Sequence, residues 1–271
     1  MELNYSPLLQ EALQSFGLET SGCRASDEVL PFSPMMPFVW SNYDRMRIKM
    51  FYIGQDTNSW GYGFSDFQNC FDQHDLAEYL KFNAENCLPL DARIKYGMDG
   101  RTFWHGIHML QVRMQLGYIC NPSNLTDGEK EVIGGLGYGN LNAIETPRTL
   151  RYCWDRLDSD KYWVIKNASQ KWLDDFRLIF YAFKPDCAVI ASWTGDVDAY
   201  IRRNGLKCSE PLEDLNLGGL KVQIYRVSDG ISSTVVVWTN HPRVWVKLGT
   251  AQSVERLGAI LEKYIMGYVD E

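Results

Sequence analysis

The sequence contains no C-x-x-C pair, although cysteines occur at positions 23, 70, 87, 120, 153, 187 and 208. Zinc ribbons and iron–sulfur clusters usually draw their ligands from such pairs, so neither has support. Scattered single thiols suit a reducing compartment, and a cytoplasmic location is expected. No run of about 18 apolar residues occurs, so no membrane helix is expected. The opening segment, Met1 to Phe16, is polar and acidic and does not read as a secretory signal. Positive charge is in deficit, with 27 Lys and Arg against 34 Asp and Glu, a net charge of −7. Proteins that coat nucleic acid without selectivity are usually basic, so a histone-like role is excluded. An enzyme that meets a few phosphates in one local groove is not. Neither a G-x-S-x-G elbow nor a G-x-x-x-x-G-K-[ST] loop appears. Internal repeats and linker-like composition shifts are also missing.

What is present is an ordinary globular composition, 45% hydrophobic and 23% charged over 271 residues. That excludes disorder of the whole chain and suffices for a sizeable core. Aromatics reach 13%; such rings fill cores and also stack on flat ligands. Ser6-Pro7 opens a helix that Gly17 is expected to close. A Pro-rich loop leads to a buried strand, Ile48 to Ile53, ending in Gly54. Helical patterns cover 75–86, 103–115 and 169–183, and a Gly-rich loop (134–139) feeds a short strand near Leu141. Cys187 to Ala191 reads as a second buried strand, followed by a short helix, Asp196 to Asn204. Lys221–Val227 and Thr234–Thr239 flank Ser228-Asp229-Gly230 as a hairpin, and a last helix spans Gln252 to Tyr268. Alternating strands and helices predict a layered α/β fold with a largely parallel sheet, in one domain over 1–271.

In such sheets ligands gather beyond the carboxyl ends of the strands. Four exits stand out. In Gly54-Gln55-Asp56-Thr57-Asn58, Gly54 permits close backbone approach, and Asp56 is placed to orient a water or stabilise a developing cation. Its commoner use is a cap. Asn142 offers a donor and an acceptor side by side, which match the edge of a pyrimidine, although turn Asn is the commoner use. Ser192, Thr194 and Gly195 can present a hydroxyl and backbone N–H groups to a phosphate, or merely form a strand-to-helix turn around Trp193. His241 can donate to an oxygen that becomes negative in a transition state, or be an idle loop histidine. His105 and His108 share a helix face but lack a third metal ligand, so no metal is expected.

The order of these segments resembles the uracil-DNA glycosylase superfamily. The matching residues are Gly54-Gln55-Asp56, Asn140-Leu141-Asn142, Trp193-Thr194-Gly195 and His241-Pro242, over about residues 48–250. The resemblance implies a three-layer α/β/α sandwich around a mainly parallel four-stranded sheet, with the hairpin added. It implies an enzyme that flips a nucleotide out of DNA and hydrolyses its N-glycosidic bond, leaving an abasic site. Asp56 would stabilise the sugar cation and orient water; His241 would hydrogen-bond the base oxygen O2. Gln55 would help bind the base, and Asn142 would read its Watson–Crick edge. A base-stacking Phe is expected soon after the first motif, at Phe64 or Phe67. DNA is the expected partner. No metal, cluster or organic cofactor is required, and a monomer is expected.

The departures carry the substrate expectation. The Pro-Tyr that follows the family's Asp is Thr57-Asn58 here. That Tyr abuts C5 of the base in uracil-specific members, so Asn58 leaves the pocket open to a 5-modified pyrimidine. (Glucosylated) hydroxymethylcytosine in phage DNA, and hence antiviral defence, is the substrate reading that follows. Repair of uracil in DNA, and a catalytically inactive nucleic-acid-binding module of the same fold, are the alternatives. Trp245 stands where the family places a Leu wedge, and either fills the hole left by the flipped base or is a core Trp. Arg243 replaces a Ser and, with Lys247, is a candidate phosphate contact. Arg148, Arg151, Arg202 and Arg203 are further basic residues near the expected cleft.

Overall fold

The computed structural model describes residues 6–23, 33–55, 63–86, 102–145, 159–173, 175–192, 201–202 and 205–265. In chain order the helices are α1 (Pro7–Thr20), α2 (Phe64–Asp72), α3 (Leu76–Asn86), α4 (Thr102–Leu116), α5 (Asp127–Ile133), α6 (Ser159–Trp172), α7 (Asp175–Phe183), α8 (Pro242–Lys247) and α9 (Thr250–Ile265). The strands are β1 (Phe38–Val39), β2 (Met50–Gly54), β3 (Gly137–Asn140), β4 (Cys187–Ala191), β5 (Lys207–Cys208), β6 (Glu213–Leu217), β7 (Leu220–Ser228) and β8 (Ser233–Thr239). The protein is therefore mixed α/β.

The strands form one open mixed sheet in the order β1-β3-β2-β4-β8-β7-β5, with β6 also paired to β7. β2, β4 and β8 run parallel, in a register that sets Ile53 beside Ile190 and Ile190 beside Trp238. All five residues of β2 and of β4 are buried. That is why both strands read as unbroken apolar runs rather than alternating ones. Among the described residues the sheet has eight strands, more than the expected four central strands and added hairpin together. The hairpin is not an appendage. Its second strand, β8, pairs with β4 on one side and β7 on the other. The turn expected at Asp229-Gly230 is present. Gly230 has φ +94°, and the Asp229 carboxylate accepts from the N–H of Ile231 (2.8 Å) and Ser232 (2.7 Å).

The chain divides into two compact units. One comprises 1–38, 54–87 and 139–183, the other 39–53, 88–138 and 184–271. The core of the first gathers Leu13, Phe16, Phe64, Phe67, Tyr79, Ile144, Tyr162 and Ile165. In it, α1 runs through Gly17 to Thr20 instead of stopping at the glycine. The Phe71 ring lies where a Cβ on Gly17 would be, 2.2 Å away, so this glycine serves packing, not termination. The helix expected over 169–183 is instead two, α6 and α7, with Leu173 between them in non-helical conformation.

The core of the second unit takes alternate residues of the sheet, Met50 and Tyr52, Cys187 and Val189, Val235 and Val237, Val222 and Ile224. The period of two places them on one face. That face packs with Ile107, Leu110 and Met114 of α4 and Val254, Leu257 and Leu261 of α9. Among the described residues no helix is long and apolar enough to cross a membrane.

Candidate functional site

The expected residues divide between the two units. In the first, the exits of β2 and β3 are tied together. The Leu141 N–H donates to the Gly54 carbonyl (2.8 Å) and the Asn142 N–H to the Gln55 carbonyl (3.1 Å). The Asn142 side chain repeats the contact, its Nδ2 donating to the same Gln55 carbonyl at 3.1 Å. The other end of that amide is also held: Lys166 Nζ donates to Asn142 Oδ1 (3.0 Å) and to the Ile144 carbonyl (2.6 Å).

Lys166 lies on α6 and is 4% exposed. It shares the buried face of that helix with Tyr162, Ile165 and Ser169, at spacings of three and four. Tyr162 adds a third tie, its hydroxyl donating to the Glu145 carbonyl at 2.8 Å. The Met35 N–H donates to the Ala143 carbonyl (2.9 Å). Residues 142–145 thus have their carbonyls or side chains satisfied from outside the loop, which rigidifies it. Sequence reasoning singled out Asn142 and Gln55 but missed Lys166 and Tyr162.

Phe64 and Phe67 do not belong to this site. They are 1% and 0% exposed and pack against each other and against Phe16, with centroids 5.2–6.1 Å apart. As core rings they offer no face to a base, which corrects the stacking expectation for both. The reason is local: α2 starts at Phe64, and its period brings both rings to the inner side. Asp56 and Asn58 lie outside the described residues.

In the second unit, β8 ends at Thr239 and His241 caps α8. Pro242 takes the first helical position, where its missing N–H is not needed. The Arg243 N–H donates to His241 Nδ1 at 3.1 Å. A ring nitrogen that accepts carries no proton, so in the neutral ring the proton sits on Nε2. Burial pushes the His241 pKa down to about 4, with the Arg243 guanidinium as a second cause. At neutral pH the imidazole is therefore uncharged, with Nε2–H as a donor. The Phe103 ring stands 5.5 Å from it, tilted by 44°. Tyr138 and Trp104 continue the aromatic group, at 5.7 and 5.3 Å from Phe103 and 4.9 Å from each other. None of these three rings was singled out from the sequence; the mid-helix Gly106 beside them was the available signal, because a helix glycine often marks close packing.

Gly106 explains Trp245. A Cβ on Gly106 would come 2.7 Å from Cε3 of the Trp245 ring, and Trp245 is 0% exposed. Of the two readings of Trp245, the structure shows the core tryptophan, and the wedge expectation is corrected. The segment after His241 is helical, so Pro242 and Trp245, three apart, share the inner face. Arg243, Val246 and Lys247 face solvent. Arg243 and Lys247 are thus presented one turn apart as exposed cations.

Ser192, the residue after β4, is 3% exposed, and its carbonyl accepts from Trp238 Nε1. Trp193, Thr194, Gly195, Arg148, Arg151 and Arg203 lie outside the described residues. Arg202 is 3.8 Å from Glu210. His108 is buried against Trp104, with ring centroids 5.7 Å apart. Among the described residues no cluster of three or more His, Cys, Asp or Glu is arranged to hold a metal ion. Cys70, Cys120 and Cys187 are free thiols.

Comparison with protein-family models, with characterised proteins and with solved structures gives no match for this chain.

Proposed function

We propose that the protein is a monofunctional DNA glycosylase with a three-layer α/β/α fold, acting on a flipped-out pyrimidine nucleotide. The observation that carries this reading is His241. Cleaving an N-glycosidic bond sends negative charge onto the departing base, above all its exocyclic oxygens. A neutral imidazole that donates from Nε2 stabilises that charge without first giving up a proton. A histidine with an ordinary pKa is partly cationic near pH 6.5. The capping bond from the Arg243 N–H and the burial of the ring keep this one neutral and fix its tautomer.

The remaining roles follow the same electrostatic division. Asp56 stabilises the cationic sugar and orients the attacking water. The bond between the sugar carbon and the base nitrogen breaks with its electron pair going to the base. Water then bonds to the sugar carbon and loses a proton to solvent or to Asp56. Asn142, with its amide anchored on the Gln55 carbonyl, reads the base edge. Arg243 and Lys247 meet phosphates. Asn58 leaves room at C5, so the substrate is a 5-modified pyrimidine such as glucosylated hydroxymethylcytosine in phage DNA.

The test is an abasic-site assay. Oligonucleotides carrying uracil, 5-hydroxymethylcytosine or its glucosylated form are treated with protein and then with alkali, which breaks the strand where a base is missing. Cleavage at a 5-modified base, lost by about 100-fold or more in Asp56→Ala and in His241→Ala, is the expected result. No cleavage of any substrate, or equal cleavage by the variants, overturns the reading.

A further inference from the structure

The amide of Asn142 is held at both ends by partners of opposite character. The Gln55 carbonyl can only accept, so it requires Nδ2; the Lys166 ammonium can only donate, so it requires Oδ1. Turning the amide over would put donor against donor and acceptor against acceptor, two part-buried mismatches. One N–H and one oxygen lone-pair direction are left for a ligand, in a fixed order.

That order matters for a pyrimidine. A 4-keto pyrimidine presents an acceptor at C4 and a donor at N3. A 4-amino pyrimidine presents the reverse. For a base held in one orientation, a fixed amide matches one class and opposes the other. An amide free to flip serves both.

We propose that Lys166 is the specificity-determining positioning residue of this site: its buried ammonium locks the Asn142 amide, and the lock makes the enzyme discriminate 4-keto from 4-amino pyrimidines. The inference rests on the glycosylase reading for Asn142's contact with the base. Lys166 itself acts through Asn142, not on the substrate. Its position at the inner stripe of α6, where Tyr162, Ile165 and Ser169 are all buried, places a full charge where the helix pattern calls for an apolar residue. A charge in such a place is costly unless its hydrogen bonds are made.

The experiment compares wild type, Lys166→Met and Lys166→Gln on paired oligonucleotides with one 5-substituent, 5-hydroxymethyluracil and 5-hydroxymethylcytosine. Two readouts are taken. One is the ratio of kcat/KM for the two bases. The other is hydrogen exchange of the Asn142 side-chain amide by 15N NMR, assigned with Asn142→Ala. Wild type is expected to prefer one base strongly and to show a protected amide. Lys166→Met, similar in length and without a donor, is expected to reduce the preference by about tenfold or more and to lose the protection. Lys166→Gln, which restores a donor to Oδ1, is expected to recover both in part. A preference unchanged in folded Lys166→Met, or equal loss on both bases, overturns the proposal. A wild type inactive on both bases, and on uracil and glucosylated hydroxymethylcytosine as well, overturns the glycosylase reading instead. The amide then still decides the lock, which an unchanged exchange rate in Lys166→Met contradicts.

Discussion

The exits of β3 and β8 hold their polar groups by different means. At β3, Asn142 is fixed by side chains from afar: Lys166 lies 24 residues away in sequence, and Tyr162 lies 17 from the Glu145 carbonyl it grips. At β8, His241 is fixed by its own neighbour, through the N–H two residues on, and by a helix of six residues that a buried tryptophan seats. A long-range clamp permits a loop with no helical order to keep one geometry. A local cap makes orientation and protonation follow from the same hydrogen bond.

The comparison can be broken most strongly at Trp245. Trp245→Ala removes a fully buried ring over Gly106 and is expected to cost about 3–5 kcal/mol in denaturant unfolding. A loss below about 1 kcal/mol would mean that the tryptophan does not seat α8. Next comes the clamp. Lys166→Met leaves the Ile144 carbonyl and Asn142 Oδ1 without this donor and is expected to cost about 1–3 kcal/mol. Tyr162→Phe, which forfeits one bond to the Glu145 carbonyl, is expected to cost about 1 kcal/mol. If the tyrosine change proved the larger, Lys166 would not be the main tie of the loop.

The cap carries a pH signature that the clamp lacks. The His241 pKa falls from about 6.5 in the unfolded chain to about 4 in the fold. The unfolded state therefore binds the extra proton first as pH falls. Stability from this group is complete above pH 6.5 and is lost progressively down to about pH 4. Protonation of Nδ1 also removes the acceptor of the Arg243 N–H. Wild type minus His241→Asn stability, measured by thermal unfolding across pH 4–8, is expected to narrow by roughly 1–2 kcal/mol toward the acid end. A difference independent of pH would contradict the buried neutral ring. The smallest effect is at the surface: Arg243→Ala with Lys247→Ala should change stability by less than about 0.5 kcal/mol. The same pair should lower the salt slope of DNA binding by about two, and an unchanged slope would remove both from the phosphate path.

Much of the sheet was legible because its signals are local. Unbroken apolar runs marked β2 and β4, and Asp229-Gly230 marked the hairpin turn. The misreadings came where tertiary packing set a residue's meaning. Gly17 looked like a helix stop, but it makes room for Phe71. Phe64 and Phe67 looked available for stacking, but the start of α2 turns both inward. For Trp245 the spacing of the family motif left wedge and core both open. His241-Pro242 carries the cap and first-turn pattern of a helix start, which turns position 245 inward. Lys166 had no local signal beyond one charge within an otherwise inward stripe, and its partner Asn142 could be known only from the fold.

The state of His241 decides most directly between a donor poised for a departing base and an ordinary loop histidine. Histidine-selective 15N NMR, with His241→Asn to assign the resonances, reports tautomer and pKa together. The expected result is a neutral ring protonated at Nε2 that titrates near pH 4. A ring protonated at Nδ1, or one that titrates near 6.5 as free histidine does, would contradict the mechanism at its center.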